Sequence, residues 1–248
     1  MSLSATTGLL TVARQARKRL FGADLPADFS DADAALVRAV RPYTMTSPER
    51  VVALSRAVEY IADRNVPGAI VECGVWRGGS MLAVARTLLS RGVTDRELYL
   101  FDTFDGMAPP TEEDVAITGE SAASALEASP DDDGVRARAS LELVRSVLFS
   151  SGYHQDRFHL VQGMVEQTIP ESAPQTIALL RLDTDWYAST RHELLHLYPR
   201  LVRGGVLIID DYGHWQGARK AVDDYFEETG EPPLLNRIDY TGRIAVKC

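Results

Sequence analysis

Cysteine is scarce in this chain. There are two in 248 residues, Cys73 inside an apolar run and Cys248 at the end. They supply no disulfide framework, and a chain of this length needs none to hold a core. Residues 9–21 are basic and amphipathic but lack the long apolar centre of a secretory leader. Both observations point to a reduced, cytoplasmic protein. No stretch approaches 18 consecutive apolar residues, so no helical span of a bilayer is expected. Positive charge is short as well: 26 Lys and Arg face 35 Asp and Glu, a net charge of −9. That disfavours nucleic acid as a partner, because binding a phosphate backbone rests on clustered cations. The Cys/His spacing of a zinc site is missing. So are the G-x-G-x-x-G of a dinucleotide fold and the G-K-[ST] of a phosphate loop.

What is present is an alternation of strands and helices without internal repeats. Residues 1–40 read as an N-terminal helical arm, with a linker at 23–30, and residues 41–248 as one domain. The amphipathic arm suits packing on the domain, docking to a second copy in a homo-oligomer, or a membrane surface; packing is the simplest of these. Ser47-Pro48-Glu49 predicts a helix start, with a capping hydroxyl, a proline in the first turn and an acid beside it; Pro67-Gly68 closes that helix. Apolar strands are predicted at 69–73, 97–102, 158–162, 177–183 and 206–210, and helices at 78–90, 186–198 and 216–228. Such alternation gives an α/β fold, a mostly parallel sheet with helices on both faces. Residues 235–240 and 243–247, separated by Thr241-Gly242, predict a C-terminal antiparallel hairpin. Residues 105–135 break the rhythm and read as a lid or acceptor loop, at the end of the sheet where open α/β folds bind ligands. The acidic runs Glu112-Glu113-Asp114 and Asp131-Asp132-Asp133 read as solvated surface.

Three places carry chemistry. Glu72-Cys73-Gly74-Val75-Trp76-Arg77-Gly78-Gly79-Ser80 takes a strand through a glycine-rich turn into a helix, where the backbone can approach a ligand and free N–H groups await it. Asp102 ends the second strand and is placed to accept from the two hydroxyls of a ribose, or simply to cap a turn. Asp183 and Asp185 follow the fourth strand, and Asp210 and Asp211 the fifth. Neighbouring parallel strands would bring these four acids to one edge, where their repulsion invites a hard divalent cation, Mg²⁺ first and Mn²⁺ or Ca²⁺ next. A role as helix caps is the alternative for any one of them.

The motifs E-C-G-V-W-R-G-G-S, F-D-T-F-D-G, R-L-D-T-D-W-Y-x-S-T and I-I-D-D-Y, in that order between Tyr43 and the C-terminus, resemble those of the macrocin O-methyltransferase (TylF-like) family. The resemblance implies a Rossmann-like class I methyltransferase sheet of seven strands and transfer of methyl from S-adenosylmethionine to a hydroxyl, often on a deoxysugar of a bacterial natural product. It implies that Glu72, Gly74, Arg77 and Ser80 hold the methionine part of the cofactor, that Asp102 holds the ribose, and that Gln162, Gly163 and Met164 face the adenine. Thr44 and Met45 match a stretch that closes over the cofactor. Asp183, Asp210 and Asp211 match metal ligands, and Asp185 matches the general base. The chain departs from the family after I-I-D-D-Y, where it reads Gly213-His214-Trp215-Gln216-Gly217, and within the lid. Both departures fall where an acceptor would lie, so the acceptor is not implied.

A sugar hydroxyl is a weak nucleophile, so the expected mechanism has a cation lower its pKa and Asp185 take the proton. His214, close to the acid pair in sequence, is a second candidate for the base. His192 reads as structural or solvated. Trp186, Tyr187 and Trp215 suit either ring stacking on an acceptor or ordinary packing. Three rival functions stay open at this point: methylation of a phenol or catechol, a cofactor-binding assembly protein without catalysis, and an NAD-dependent oxidoreductase, the last disfavoured by the missing glycine fingerprint.

Overall fold

A computed structural model describes residues 25–128 and 136–248. Residues 9–21 and Asp131-Asp132-Asp133 lie outside this range, and the expectations placed on them stay untested. The elements are α1 (Asp31–Val40), α2 (Pro48–Asp63), β1 (Ala69–Cys73), α3 (Gly79–Ser90), β2 (Leu98–Asp102), α4 (Ala122–Ala128), α5 (Leu141–Phe149), β3 (Phe158–Gln162), α6 (Val165–Thr168), β4 (Ile177–Leu182), α7 (Tyr187–Leu197), β5 (Leu201–Ile209), α8 (Gln216–Thr229), β6 (Asn236–Arg237) and β7 (Arg243–Val246). They form one seven-stranded sheet in the order β3-β2-β1-β4-β5-β7-β6. The first five strands run parallel, and β7 is antiparallel to both β5 and β6. The expected fold class, including its antiparallel C-terminal edge, is therefore the observed one.

Successive strand residues point to opposite faces, and the core divides accordingly. Ile70, Leu100, Leu179 and Ile208 face a cluster built with α2, α3 and α5. Their neighbours Val71, Phe101, Leu180 and Ile209 face a second cluster with Leu194 and Leu197 of α7 and Val222 and Phe226 of α8. Burial on both faces explains why these strands read as continuous apolar runs. A third cluster joins Phe29, Val37 and Val40 to Val51, Leu82 and Val147, so α1 packs directly on α2 and α3. Ser30 caps α1 through a capping box with Asp33, and Ser47 caps α2 as its sequence predicts.

Two boundaries differ from expectation by more than two residues. β5 starts at Leu201 rather than 206. Gly204-Gly205 lies within the strand, with Gly204 at φ +80°; glycines in strands commonly mark such irregular ladders. The first arm of the hairpin shrinks to Asn236–Arg237 because only those residues pair with β7.

Candidate functional site

The site sits where the parallel ladder runs past the ends of its strands. Gly74 N–H donates to the Phe101 carbonyl (2.9 Å), Asp183 N–H to Cys73 (2.9 Å), Asp210 N–H to Leu182 (2.9 Å) and Gly163 N–H to Asp102 (3.0 Å). These bonds hold the residues after β1, β3, β4 and β5 in register along one edge, so four distant sequence motifs meet. Gly74 has φ +81°, and a Cβ there would lie 2.0 Å from the Asp183 carbonyl oxygen. Only glycine lets β1 leave the sheet so close to β4.

Asp102 organises the turn that follows. One carboxylate oxygen accepts from the N–H groups of Val75 (2.7 Å) and Trp76 (3.0 Å), the other from Phe104 (2.7 Å). The turn-capping role is thus realised, and a carboxylate has lone pairs left for further donors. Left-handed backbone in residues other than glycine gathers here: Trp76 (φ +46°), Phe104 (+52°), Ala137 (+50°) and Asp185 (+68°). Such conformations persist where the surroundings over-determine them, commonly at functional sites.

Two contiguous cavities open on this edge, of about 540 and 990 Å³. Both are lined by Gly74, Asp102, Ala137, Asp183 and Asp185. The first adds Gly163 and Met164. The second adds Thr44, Met45, Ser80, Asp210, Asp211 and His214. Of the cofactor, metal and base candidates singled out from sequence, three stand apart from these walls. Arg77 stacks on the Trp76 ring. Gln162 is exposed and reaches the Thr103 carbonyl. Glu72 is buried on β1, where it pairs with Arg181.

Arg181 is the main residue that sequence reading passes over. It lies on β4 with its side chain 3% exposed, and it bonds Glu72 (2.8 Å), Asp183 (2.6 Å), Asp210 (2.7 Å) and the Thr46 hydroxyl (3.0 Å). A lone arginine in a buried strand must be paired, and that is the signal that could have found it. Arg50, on α2, pairs with Asp210 and Asp239; nothing in its local sequence announces this. Burial alone would lower the Arg181 pKa, but Asp183, Asp210 and Glu72 outweigh it and hold it well above the usual range.

The acids respond in the opposite sense. Burial, opposed by Arg181, pushes Glu72 to about 7. Burial also pushes Asp185 to about 7, with Asp183 and Asp210 adding repulsion and a hydrogen bond to Asp211 opposing it. Asp183 and Asp211 are raised well above the carboxylate range, first by burial and then by neighbouring acids. Asp183, Asp185 and Asp211 each bring one oxygen within 4.8 Å of the others. Asp210 lies beside them, each of its oxygens on a guanidinium, Arg181 or Arg50.

His214 faces the same cavity, with Nδ1 3.3 Å from the Tyr240 hydroxyl. Burial and the nearby Arg50 lower its pKa, which favours the neutral imidazole. The aromatic residues turn to packing. Trp186 is 3% exposed and meets Trp215 edge to face, while the Tyr187 hydroxyl donates to Asp224. His192 bonds the Ile169 carbonyl.

The acidic run in the loop needs correction. Glu112 and Glu113 are exposed, but Asp114 is wholly buried. Charge runs read as solvated because isolated charges resist burial; Asp114 escapes that rule by accepting hydrogen bonds from Thr111 and Tyr187.

With this geometry in hand, similarity to known proteins becomes decisive. Residues 8–246 match the profile of the macrocin O-methyltransferase (TylF) family. The chain belongs to that family. The match starts well before the motifs from which the resemblance was read. Over 200 residues the chain is 35% identical to a tetracenomycin 4′-O-methyltransferase of Streptomyces olivaceus, the enzyme acting on 8-demethyl-8-(2,3-dimethoxy-α-L-rhamnosyl)-tetracenomycin C, covering 81% of this chain and 74% of that one. It is 32% identical to the mycinamicin III 3″-O-methyltransferase of Micromonospora griseorubida, covering 81% and 76%. Among solved structures, the O-methyltransferase NovP superposes with a TM-score of 0.73 at 31% identity, covering 83% of this chain and 82% of that one. The protein is an S-adenosylmethionine-dependent O-methyltransferase. Among its described residues, no helix is long and apolar enough to cross a membrane.

Proposed function

We propose that this methyltransferase methylates a hydroxyl of a sugar already joined to a larger, uncharged small molecule, with a divalent cation, Mg²⁺ foremost, in the acid cluster. The observation that carries this reading is the convergence of Asp183, Asp185 and Asp211 on the wall of the larger cavity.

The residues present fit a cation. Five carboxylates, Glu72, Asp183, Asp185, Asp210 and Asp211, meet two guanidinium groups, Arg50 and Arg181. A hard dication among oxygen ligands would offset most of that excess. We assign Asp183, Asp210 and Asp211 to it, and Asp185 to the proton. For Asp210 this requires one guanidinium to give way. Such a cation supplies charge that lowers the pKa of the acceptor hydroxyl. Thr44, Met45, Gly74, Ser80 and Asp102 on one cavity, with Gly163 and Met164 on the other, are assigned to S-adenosylmethionine, which supplies the methyl group as an electrophilic sulfonium. Glu72 and Arg181 act beneath them by fixing the floor.

Asp185 carries the remaining chemistry. Its pKa near 7 suits a base at neutral pH. Its left-handed backbone turns the carboxylate toward Asp211 and the cavity. His214, tied to Tyr240, is assigned to the acceptor wall.

The acceptor class follows from charge and from the relatives, whose names specify a rhamnosyl tetracenomycin and mycinamicin III. Among the described residues lining the larger cavity the only Lys or Arg is Arg50, which Asp210 and Asp239 engage, against five aspartates. That leaves no side-chain cation among them to pair the phosphates of a nucleotide-linked sugar. Tyr240, 57% exposed, offers apolar surface to an aglycone. Turnover should be compared for glycosylated aglycones, free phenolic aglycones and nucleotide-linked sugars. Glycosides alone should react; methylation of the free aglycones or nucleotide sugars instead would overturn the assignment.

A further inference from the structure

Gly106, Met107 and Ala108 line the smaller cavity, and Asp114 fastens the loop that continues from them. One of its oxygens accepts from the Thr111 N–H (2.7 Å) and the Thr111 hydroxyl (3.0 Å), closing a turn within the loop. The other accepts from the N–H of Tyr187 (2.8 Å), the first residue of α7. That helix starts without a side-chain cap of its own, since Trp186 holds the cap position and offers no acceptor there. A carboxylate satisfies an orphan N–H at a helix start and complements the helix dipole. Asp114 therefore caps α7 from a separate segment of the chain.

The neighbourhood is built around this contact. A Cβ on Gly217 would lie 2.3 Å from the capping oxygen of Asp114, so the glycine leaves the carboxylate its place. Trp186 Nε1 donates to the Ala108 carbonyl (2.8 Å), Ile117 N–H to His214 (2.8 Å), and Gln216 N–H to Val115 (2.9 Å). The loop is thus fastened to both segments that carry the acid cluster, residues 183–186 after β4 and residues 210–216 after β5. Asp185 keeps its left-handed backbone two residues before the capped amide.

We propose that Asp114 is a positioning residue, which by capping α7 from the loop locks the acceptor wall and the Asp185 turn into one unit. The catalytic consequence rests on Asp185 being the base; the tether itself does not. Water exclusion and proton removal are then set together, which explains a buried acid within an exposed acidic run.

The test breaks the tether at the capped N–H, where the ring Cδ of a proline would take the place of the hydrogen that points at Asp114. Tyr187→Ala and Tyr187→Pro both remove the ring and its bond to Asp224, but only proline removes the N–H. Proline suits a first helical position, and Trp186, with ψ 154°, already has the extended backbone that precedes proline. Amide hydrogen exchange of the full chain is measured for both variants, with Mn²⁺ affinity followed by electron paramagnetic resonance. In Tyr187→Pro, amides of residues 114–122 and of residues 183–186 should exchange about tenfold or more faster than in Tyr187→Ala. Mn²⁺ should bind more weakly by several-fold. Equal exchange in the two variants, or acceleration confined to the loop, would overturn the proposal. Failure of Mn²⁺ to bind the parent chain would count against the cation reading above, while the exchange comparison would still decide the tether.

Discussion

Replacing Asp185 by asparagine should make the protein more stable at alkaline pH while it abolishes turnover. The carboxyl of Asp185 rises from 3.8 to about 7 on folding, chiefly through burial. A folded-state pKa above the unfolded one means that the native state holds the proton more tightly. Ionisation therefore costs nothing below about pH 4, costs progressively more as pH rises toward about 7, and costs its full amount above that. A shift of roughly 3 units corresponds to about 4 kcal/mol. The group opens onto a cavity, so solvent screening should leave about 1–2 kcal/mol. For a chain of this size that is a rise in melting temperature of roughly 3–6 °C. Thermal unfolding of parent and Asp185→Asn would be compared at about pH 8 and again near pH 4, in metal-free buffer. The gain should appear at the higher pH and shrink at the lower one. A destabilised variant at pH 8, or an equal gain at both, would refute the electrostatic reasoning. S-adenosylhomocysteine binding should be unchanged, and turnover should fall by about 100-fold or more.

Three other substitutions probe the frame beneath the site. Gly74→Ala should cost more than about 3 kcal/mol in chemical denaturation, because a Cβ there meets the Asp183 carbonyl at 2.0 Å on left-handed backbone. Arg181→Met should cost about 3–5 kcal/mol, since it leaves Glu72, Asp183 and Asp210 without their buried cation; urea unfolding at neutral pH measures it. Asp102→Asn should weaken S-adenosylhomocysteine binding about tenfold or more by calorimetry, because the amide nitrogen cannot accept from the turn N–H groups that the carboxylate now holds.

The fold was legible because its signals are local. Apolar runs, glycine turns and helix caps each sit within a few residues, and the parallel order follows from their alternation. The convergence of Asp183, Asp185, Asp210 and Asp211 was legible for the same reason, since strand-end acids share an edge once the strands are parallel. Pairings between distant segments were not. Arg50 reaches Asp210 from α2, and Asp114 reaches Tyr187 from the loop. Neither residue's own surroundings distinguish it from surface charge. The start of β5 was not legible because Gly204-Gly205 interrupts the apolar run by which strands are read, yet lies within the strand. Arg77 and Gln162, carried over by motif, sit behind the walls, on Trp76 and Thr103, because a motif position fixes the backbone and not the direction of a long side chain.

The most direct test of the account is the transfer of a deuterated methyl group from labelled S-adenosylmethionine to a glycosylated aglycone, followed by mass spectrometry of the product after chelation and after addition of Mg²⁺. The account predicts label on the sugar, turnover abolished by the chelator, and turnover restored by Mg²⁺. Full turnover in the chelator, or label on the aglycone, would contradict it.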